Sequence, residues 1–317
     1  MNLKQWAMFV SLAAVWGASF LFVKIAVGAL GPFPLMVFRV SIAGGLLIIY
    51  AMFTKQSWWT LTRQNWRKFL MLGALNAAIP YVLIGYSQLH ITASLGAILN
   101  STAALFTALV AAIVLRESLN FGRIFGLVLG VIGVSILVGW SPLPMTTNVI
   151  IATIAALLST LSYAFAGVYS ASQFKNVPPM TVAIGQQLGA TFILFPIGAI
   201  EMPDNLTLSP TIILATIGLA SVSTAFAYIL YFRLIEQVGP TKTLSVAYLI
   251  PVFGIIWGIV FLDETITIGT IIGLITILIS VAMVNKLQFA STIQNSIRWL
   301  LNPKNSTPTS VAFEPEQ

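Results

Sequence analysis

The chain has 317 residues, 58% of them hydrophobic and only 7% charged, with 15 Lys+Arg against 8 Asp+Glu, and its mean hydropathy is +0.97. A soluble surface needs about 25% charged residues, so a water-soluble fold is excluded, and a soluble enzyme with it. The absence of cysteine and the single histidine, His90, exclude disulfides, thiol chemistry and a Cys- or His-built metal site, and cations scattered among apolar segments form no continuous face for nucleic acid.

A spanning helix takes up about 20 apolar residues. Apolar runs bounded by charges or by Pro, Gly and polar clusters predict ten of them, near 6–27, 35–53, 69–89, 93–115, 122–140, 149–172, 180–200, 211–233, 241–262 and 268–286. The first run follows Met1–Lys4 as in a signal peptide, but it stays apolar through Val27, which predicts a permanent helix. With the N-terminus placed in the cytoplasm, the inner segments collect Lys4, Lys55, Arg63, Arg67, Lys68, Arg116, Arg123, Lys175, Arg233, Lys242, Lys286, Arg298 and Lys304. The outer segments carry Glu201, Asp204, Asp263 and Glu264 and no Lys or Arg. This split predicts both termini on the cytoplasmic side. Beyond Lys286, residues 288–301 predict a short interfacial helix, and 302–317, rich in Pro, Ser, Thr and Asn, are expected to be disordered.

Shifting the chain by 147 positions aligns it with itself. Leu115-Arg116-Glu117-Ser118-Leu119 falls on Leu262-Asp263-Glu264-Thr265-Ile266, and Gly122, Gly126 and Leu127 fall on Gly269, Gly273 and Leu274. Phe106 meets Phe253, Pro32 meets Pro179, Tyr81 meets Tyr228 and Trp16 meets Tyr163. Each copy holds five spans, an odd number, so the second copy must enter the membrane from the opposite side. The expected fold is an all-α integral membrane protein of ten transmembrane helices in two inverted five-helix repeats. Residues 1–140 form the first repeat, 141–286 the second, and 287–317 a cytoplasmic tail. Inverted repeats are a recurrent architecture of secondary transporters.

Three segments carry a resemblance to a known family. PVFGIIWGIVFLDETITIGTIIGLITILISVAMV (251–284) resembles the last two helices of the EamA family in the drug/metabolite transporter superfamily. AAVWGASFLFVK (13–24) is similar to that family's first helix, and ALFTALVAAIVLRESLNFGRIFGLVLGVIGV (104–134) to its fourth and fifth. The resemblance implies a ten-helix exporter or facilitator of small metabolites, amino acids among them, without choosing the substrate.

Lys24 and Arg39 lie inside spans, where a cation at the bilayer centre costs about 2.5–3.5 kcal/mol. Each sits near the outer end of its helix, within snorkelling reach of the headgroups. The alternative is a positive outer vestibule that meets a carboxylate or pairs with Asp263 and Glu264 as a gate. Arg39 is the stronger candidate, because a guanidinium holds a carboxylate through two parallel bonds. Glu117 and Glu264 each follow a very short turn and are expected to stabilise the start of the next helix. Trp16, Tyr81, Tyr163 and Tyr228 fall near mid-depth, where indole and phenol groups need polar partners or a wet cavity, or pack between helices. Tyr248, Asn76, Asn100 and Gln186 add polar groups at similar depth, and Gln186 is the repeat equivalent of Arg39. Pro80 and Pro251 lie inside spans and predict kinks, and Gly126 and Gly130 fit close helix packing.

The predicted function is alternating-access movement of a small organic metabolite, an amino acid or related compound, in the export direction. The predicted substrate site is Trp16, Arg39, Tyr81, Asn100, Tyr163, Tyr228 and Tyr248, with no catalytic residue, metal or cofactor. The predicted partners are the small metabolite and the lipid bilayer, in a bacterial inner membrane, with no nucleic acid. The alternative is broad efflux of hydrophobic drugs, which calls for an apolar, Met-rich or acidic cavity. A membrane receptor or scaffold would typically add a sensing domain, for which no segment outside the spans is large enough.

Overall fold

The computed structural model describes residues 1–114, 121–141, 143–205 and 208–301. Glu117 and the tail 302–317 lie outside the described residues, as do the expectations placed on them. Among the described residues there is no strand, and nine helices are long and apolar enough to cross a membrane. They are α1 (Leu3–Leu30), α2 (Pro32–Phe53), α3 (Trp66–His90), α4 (Ala93–Val114), α5 (Phe121–Gly139), α6 (Thr147–Gln173), α7 (Pro179–Ile200), α8 (Pro210–Val238) and α9 (Lys242–Leu262). The last helix, α10 (Ile268–Leu301), has a shorter apolar part, Ile268–Val284. The backbone runs as helix without a break through 288–301, where a separate interfacial helix was expected.

Local chemistry explains the ends. Asn2 and Gln5 form a reciprocal capping box on α1, and Thr92, Thr146 and Ser209 cap α4, α6 and α8 through their hydroxyls. Pro32, Pro179 and Pro210 open α2, α7 and α8, where the missing N–H has no bond to lose. The α1–α2 corner is one residue, Gly31, at φ 78°, a conformation that side chains other than glycine rarely adopt.

Four helices are locally irregular. Ala74–Ala78 in α3 and Ser221–Phe226 in α8 are π-helical. Helix α9 passes through a 3-10 turn at Ser245–Tyr248, and α4 is interrupted at Ser101–Thr102. Pro80 and Pro251 both fall in the first turn after such a break, so neither removes an existing helical hydrogen bond. These irregular turns recur at the 147-residue offset: Ala74 corresponds to Ser221, and Ser101 to Tyr248.

The contacts come in matching sets. Helix α2 packs on α7 and α5 on α10; α1 packs on α9 as α4 does on α6, and α3 packs on α6 as α1 does on α8. Where α1 crosses α9, a β-carbon on Gly17 would stand 2.8 Å from Phe253 Cβ and 2.9 Å from the Gly254 nitrogen. Only a glycine lets the two backbones approach this closely. Along α5 and α10, the Ser280 hydroxyl donates to the Gly126 carbonyl, which is the use the structure makes of the Gly126–Gly130 spacing. These crossings draw α1, α3, α4, α6, α8 and α9 around one internal space.

Candidate functional site

That space is a cavity of about 220 Å³. Helix α1 contributes Trp16, Ser19, Phe20 and Val23; α2, Arg39; α3, Asn76, Tyr81 and Ile84; α4, Asn100; α6, Tyr163; α8, Tyr228; and α9, Ile250. Six of the seven residues expected at the site, Trp16, Arg39, Tyr81, Asn100, Tyr163 and Tyr228, therefore line one cavity. Tyr248 does not line it. Its ring belongs to the apolar cluster with Val281 and Ile277, and its hydroxyl donates to the Val281 carbonyl at 3.5 Å. The reason lies in the backbone: Tyr248 ends the 3-10 turn, whose three residues per turn alter the facing that 3.6-residue spacing implies.

Arg39 is the charge of the site. It is 6% exposed, its Nε donates to Thr224 Oγ1 at 3.1 Å, and its guanidinium lies 3.6 Å from the centroid of the Tyr81 ring. The π face and the hydroxyl together stabilise the cation and hold it in place, but neither neutralises it. Among the described residues no carboxylate forms an ion pair with it. Thr224 sits in the π-helical turn of α8, so the irregular backbone places the hydroxyl that steers the guanidinium.

The repeat equivalents of Arg39 and Tyr81 are Gln186 and Tyr228, and they too meet. Asn76 Nδ2 donates to Gln186 Oε1 at 2.7 Å, and Gln186 Nε2 donates to the Tyr228 hydroxyl. There are thus two matching pairs, Arg39–Tyr81 with a positive charge and Gln186–Tyr228 with an amide, and all but Gln186 line the cavity. Asn100 lines the cavity, and its Oδ1 is buried without a hydrogen-bond partner. Trp16 packs against Tyr231 with ring centroids 5.4 Å apart. Tyr163 packs beside the apolar clusters that contain Tyr81 and Phe20. Asn76 and Ser19 also line the cavity, and sequence reasoning places neither at the site; Gln186, which accepts from Asn76, is signalled by the offset that pairs it with Arg39.

Two expectations are corrected. Lys24 does not snorkel: its ammonium donates to the carbonyls of Gln88 at 2.7 Å and Ile91 at 2.8 Å, at the C-terminal end of α3. Glu264 does not stabilise the start of α10. Asp263 adopts a left-handed conformation at φ 52° and turns the chain back, with Glu264 N donating to the Gly258 carbonyl. The Glu264 carboxylate then accepts from Ala93 N at 2.6 Å and Ser94 N at 2.9 Å, and also from the Ser94 hydroxyl, so it caps α4. His90 is the last residue of α3, its ring edge-on to Tyr86.

A sequence model described as the EamA-like transporter family matches residues 4–139 and again residues 150–286. An "Uncharacterized transporter" of Archaeoglobus fulgidus is 22% identical over 285 residues, covering 89% of this chain and 99% of its own length. The "Uncharacterized transporter YoaV" of Bacillus subtilis is 20% identical over 86% of this chain and 94% of its own length. "Protein PecM" of Dickeya dadantii is 23% identical over 92% of this chain and 95% of its own length. A solved crystal structure superposes with a TM-score of 0.64 at 16% identity, covering 90% of this chain and 98% of that one, a likeness of fold.

Proposed function

The chain belongs to the EamA-like transporter family and is a membrane transporter, and from that premise we propose that it exports a small carboxylate-bearing metabolite, an amino acid or a close relative, by alternating access through the Arg39 cavity. The observation that carries the reading is Arg39 itself: a buried guanidinium held in place by Thr224 and Tyr81, with no carboxylate in an ion pair among the described residues. A buried cation of this kind favours an anionic guest, which offsets its burial. The tyrosine hydroxyls and the amides of Asn76 and Asn100 would orient the guest's polar groups, and Phe20, Val23, Ile84 and Ile250 would cover its apolar part.

The architecture in this reading is ten transmembrane helices, with the apolar part of α10 as the tenth, arranged as inverted repeats 1–140 and 141–286 followed by the tail 287–317. The matched family segments, the recurring irregular turns and the paired helix contacts support it. Both termini face the cytoplasm of a bacterial inner membrane, as the distribution of Lys and Arg supports.

Broad efflux of hydrophobic drugs is the weaker reading. Among the described residues the cavity wall holds no Met, Asp or Glu, and its volume of about 220 Å³ is below the roughly 300–1,000 Å³ usual for drug-sized ligands. Uptake of a panel of labelled metabolites into proteoliposomes separates the two readings. Saturable transport of at least one amino acid or related carboxylate supports the proposal; drug efflux with no carboxylate transported would overturn it.

A further inference from the structure

Lys24 and Glu264 grip the same corner from opposite sides. Helix α3 ends in unpaired carbonyls and α4 begins with unpaired N–H groups, and only Ile91 and Thr92 separate them. Lys24, a cation, takes the carbonyls of Gln88 and Ile91. Glu264, an anion, takes the N–H groups of Ala93 and Ser94 together with the Ser94 hydroxyl. Thr92 satisfies the next two donors, Leu95 N through its hydroxyl and Gly96 N through its carbonyl. The charges match the ends they hold, and they come from α1 and from the α9–α10 turn, so the corner ties three parts of the bundle together.

The position matters as much as the bonds. Val23 and Ile84 line the cavity; Lys24 follows Val23 directly, and Gln88 lies one helical turn beyond Ile84. The corner therefore lies at the end of the cavity where α1 and α3 finish. Gly258 leaves room for this contact, because a β-carbon there would overlap the Glu264 carboxylate and stand 2.5 Å from the Ser94 hydroxyl, and one of them would have to shift.

The other copy of the repeat keeps an acid, Glu117, and a hydroxyl, Thr241, at the equivalents of Glu264 and Ser94, but not the rest of the set. The sequence equivalents of Lys24, Ala93 and Gly258, 147 residues away, are Ala171, Pro240 and Ala111. Alanine has no ammonium, proline has no N–H to donate, and Ala111 carries the β-carbon that position 258 lacks. We propose that Lys24, Glu264 and Ser94 form a clasp that holds the outer end of the cavity shut, and that the opposite corner, which has neither an ammonium at position 171 nor an N–H at position 240, is held less tightly, so that the empty carrier is biased toward opening to the cytoplasm. This rests on the inverted-repeat, alternating-access reading and gives the transport site a built-in resting side, the one from which an exporter loads.

The chain has no cysteine, so one introduced cysteine reports accessibility without a background. Ile84→Cys, in the cavity wall, is labelled with a membrane-impermeant maleimide added outside intact cells. Met145→Cys, on the exposed residue between α5 and α6, reports orientation in parallel. The proposal predicts slow labelling of Ile84→Cys with the clasp intact. Lys24→Met, Glu264→Gln and the milder Ser94→Ala should each raise the rate, by about tenfold for the charged pair and less for the serine, while Met145→Cys labels equally in all. An unchanged rate in all three variants at matched amounts of monodisperse protein overturns the clasp. Labelling of Met145→Cys only from the cytoplasmic side overturns the orientation and reverses the proposed bias; the rate change, read from the labelled face, then still decides whether the clasp exists.

Discussion

Replacing Tyr228 by Phe deletes one oxygen atom from a hydrogen-bonded row inside the bundle. Its hydroxyl accepts from Gln186 Nε2, Gln186 in turn accepts from Asn76 at 2.7 Å, and Gln186 is 3% exposed. A neutral hydrogen bond contributes about 0.5–1.5 kcal/mol, but a buried donor stripped of its partner costs about 1–3 kcal/mol. Because Gln186 is too enclosed to find bulk water, Tyr228→Phe should fall in the upper range, near 2 kcal/mol. Gln186→Leu removes the stranded donor, so the double variant should be less damaged than the two single losses summed. The coupling should be about 0.6 kcal/mol and at most about 1.7, the range of polar pairs between membrane helices. Reversible unfolding of the four proteins of the cycle in mixed micelles measures it. Strict additivity within about 0.3 kcal/mol would refute the row as a stabilising unit.

Gly17→Val should prevent stable folding, because the new side chain meets backbone at Gly254 and Ile250 as well as Phe253 Cβ; overpacking costs about 1–3 kcal/mol or more, read as loss of monodisperse protein in detergent. Tyr248→Phe should leave substrate affinity within about twofold and lower unfolding stability by about 1 kcal/mol or less, whereas Tyr81→Phe, in the cavity wall, should weaken transport by about 0.5–1.5 kcal/mol. Equal effects of the two tyrosine variants on transport would refute the boundary drawn between them.

The helix ends were legible to within three residues at most boundaries, because apolar runs stop where proline, glycine and capping hydroxyls begin. Depth and the 147-residue offset brought six of the seven expected residues to one cavity. What failed has physical causes that one sequence does not display. Nothing in Ala74–Ala78 announces a π-helix; proline at position 80 is the one hint that the backbone is rewound there. Tyr248 was misplaced because its depth was readable and its facing, altered by a 3-10 turn, was not. Glu264 was assigned to the helix nearest in sequence, while the left-handed turn at Asp263 delivers it to α4. Lys24 was read as reaching for headgroups because its partners are backbone carbonyls of another helix.

The central claim is that Arg39 receives the carboxylate of the guest, and a comparison of two ligands tests it. Binding of the best-transported amino acid and of its uncharged carboxyl-amide analogue is measured on the wild type and on Arg39→Gln, with the part of the tryptophan quenching that is lost in Trp16→Phe as a second readout. Charge-assisted hydrogen bonds contribute about 1.5–3 kcal/mol, so the substitution should weaken the carboxylate by about tenfold to a hundredfold and the amide by no more than a few-fold. Equal loss for both ligands would contradict the account and make Arg39 a structural residue.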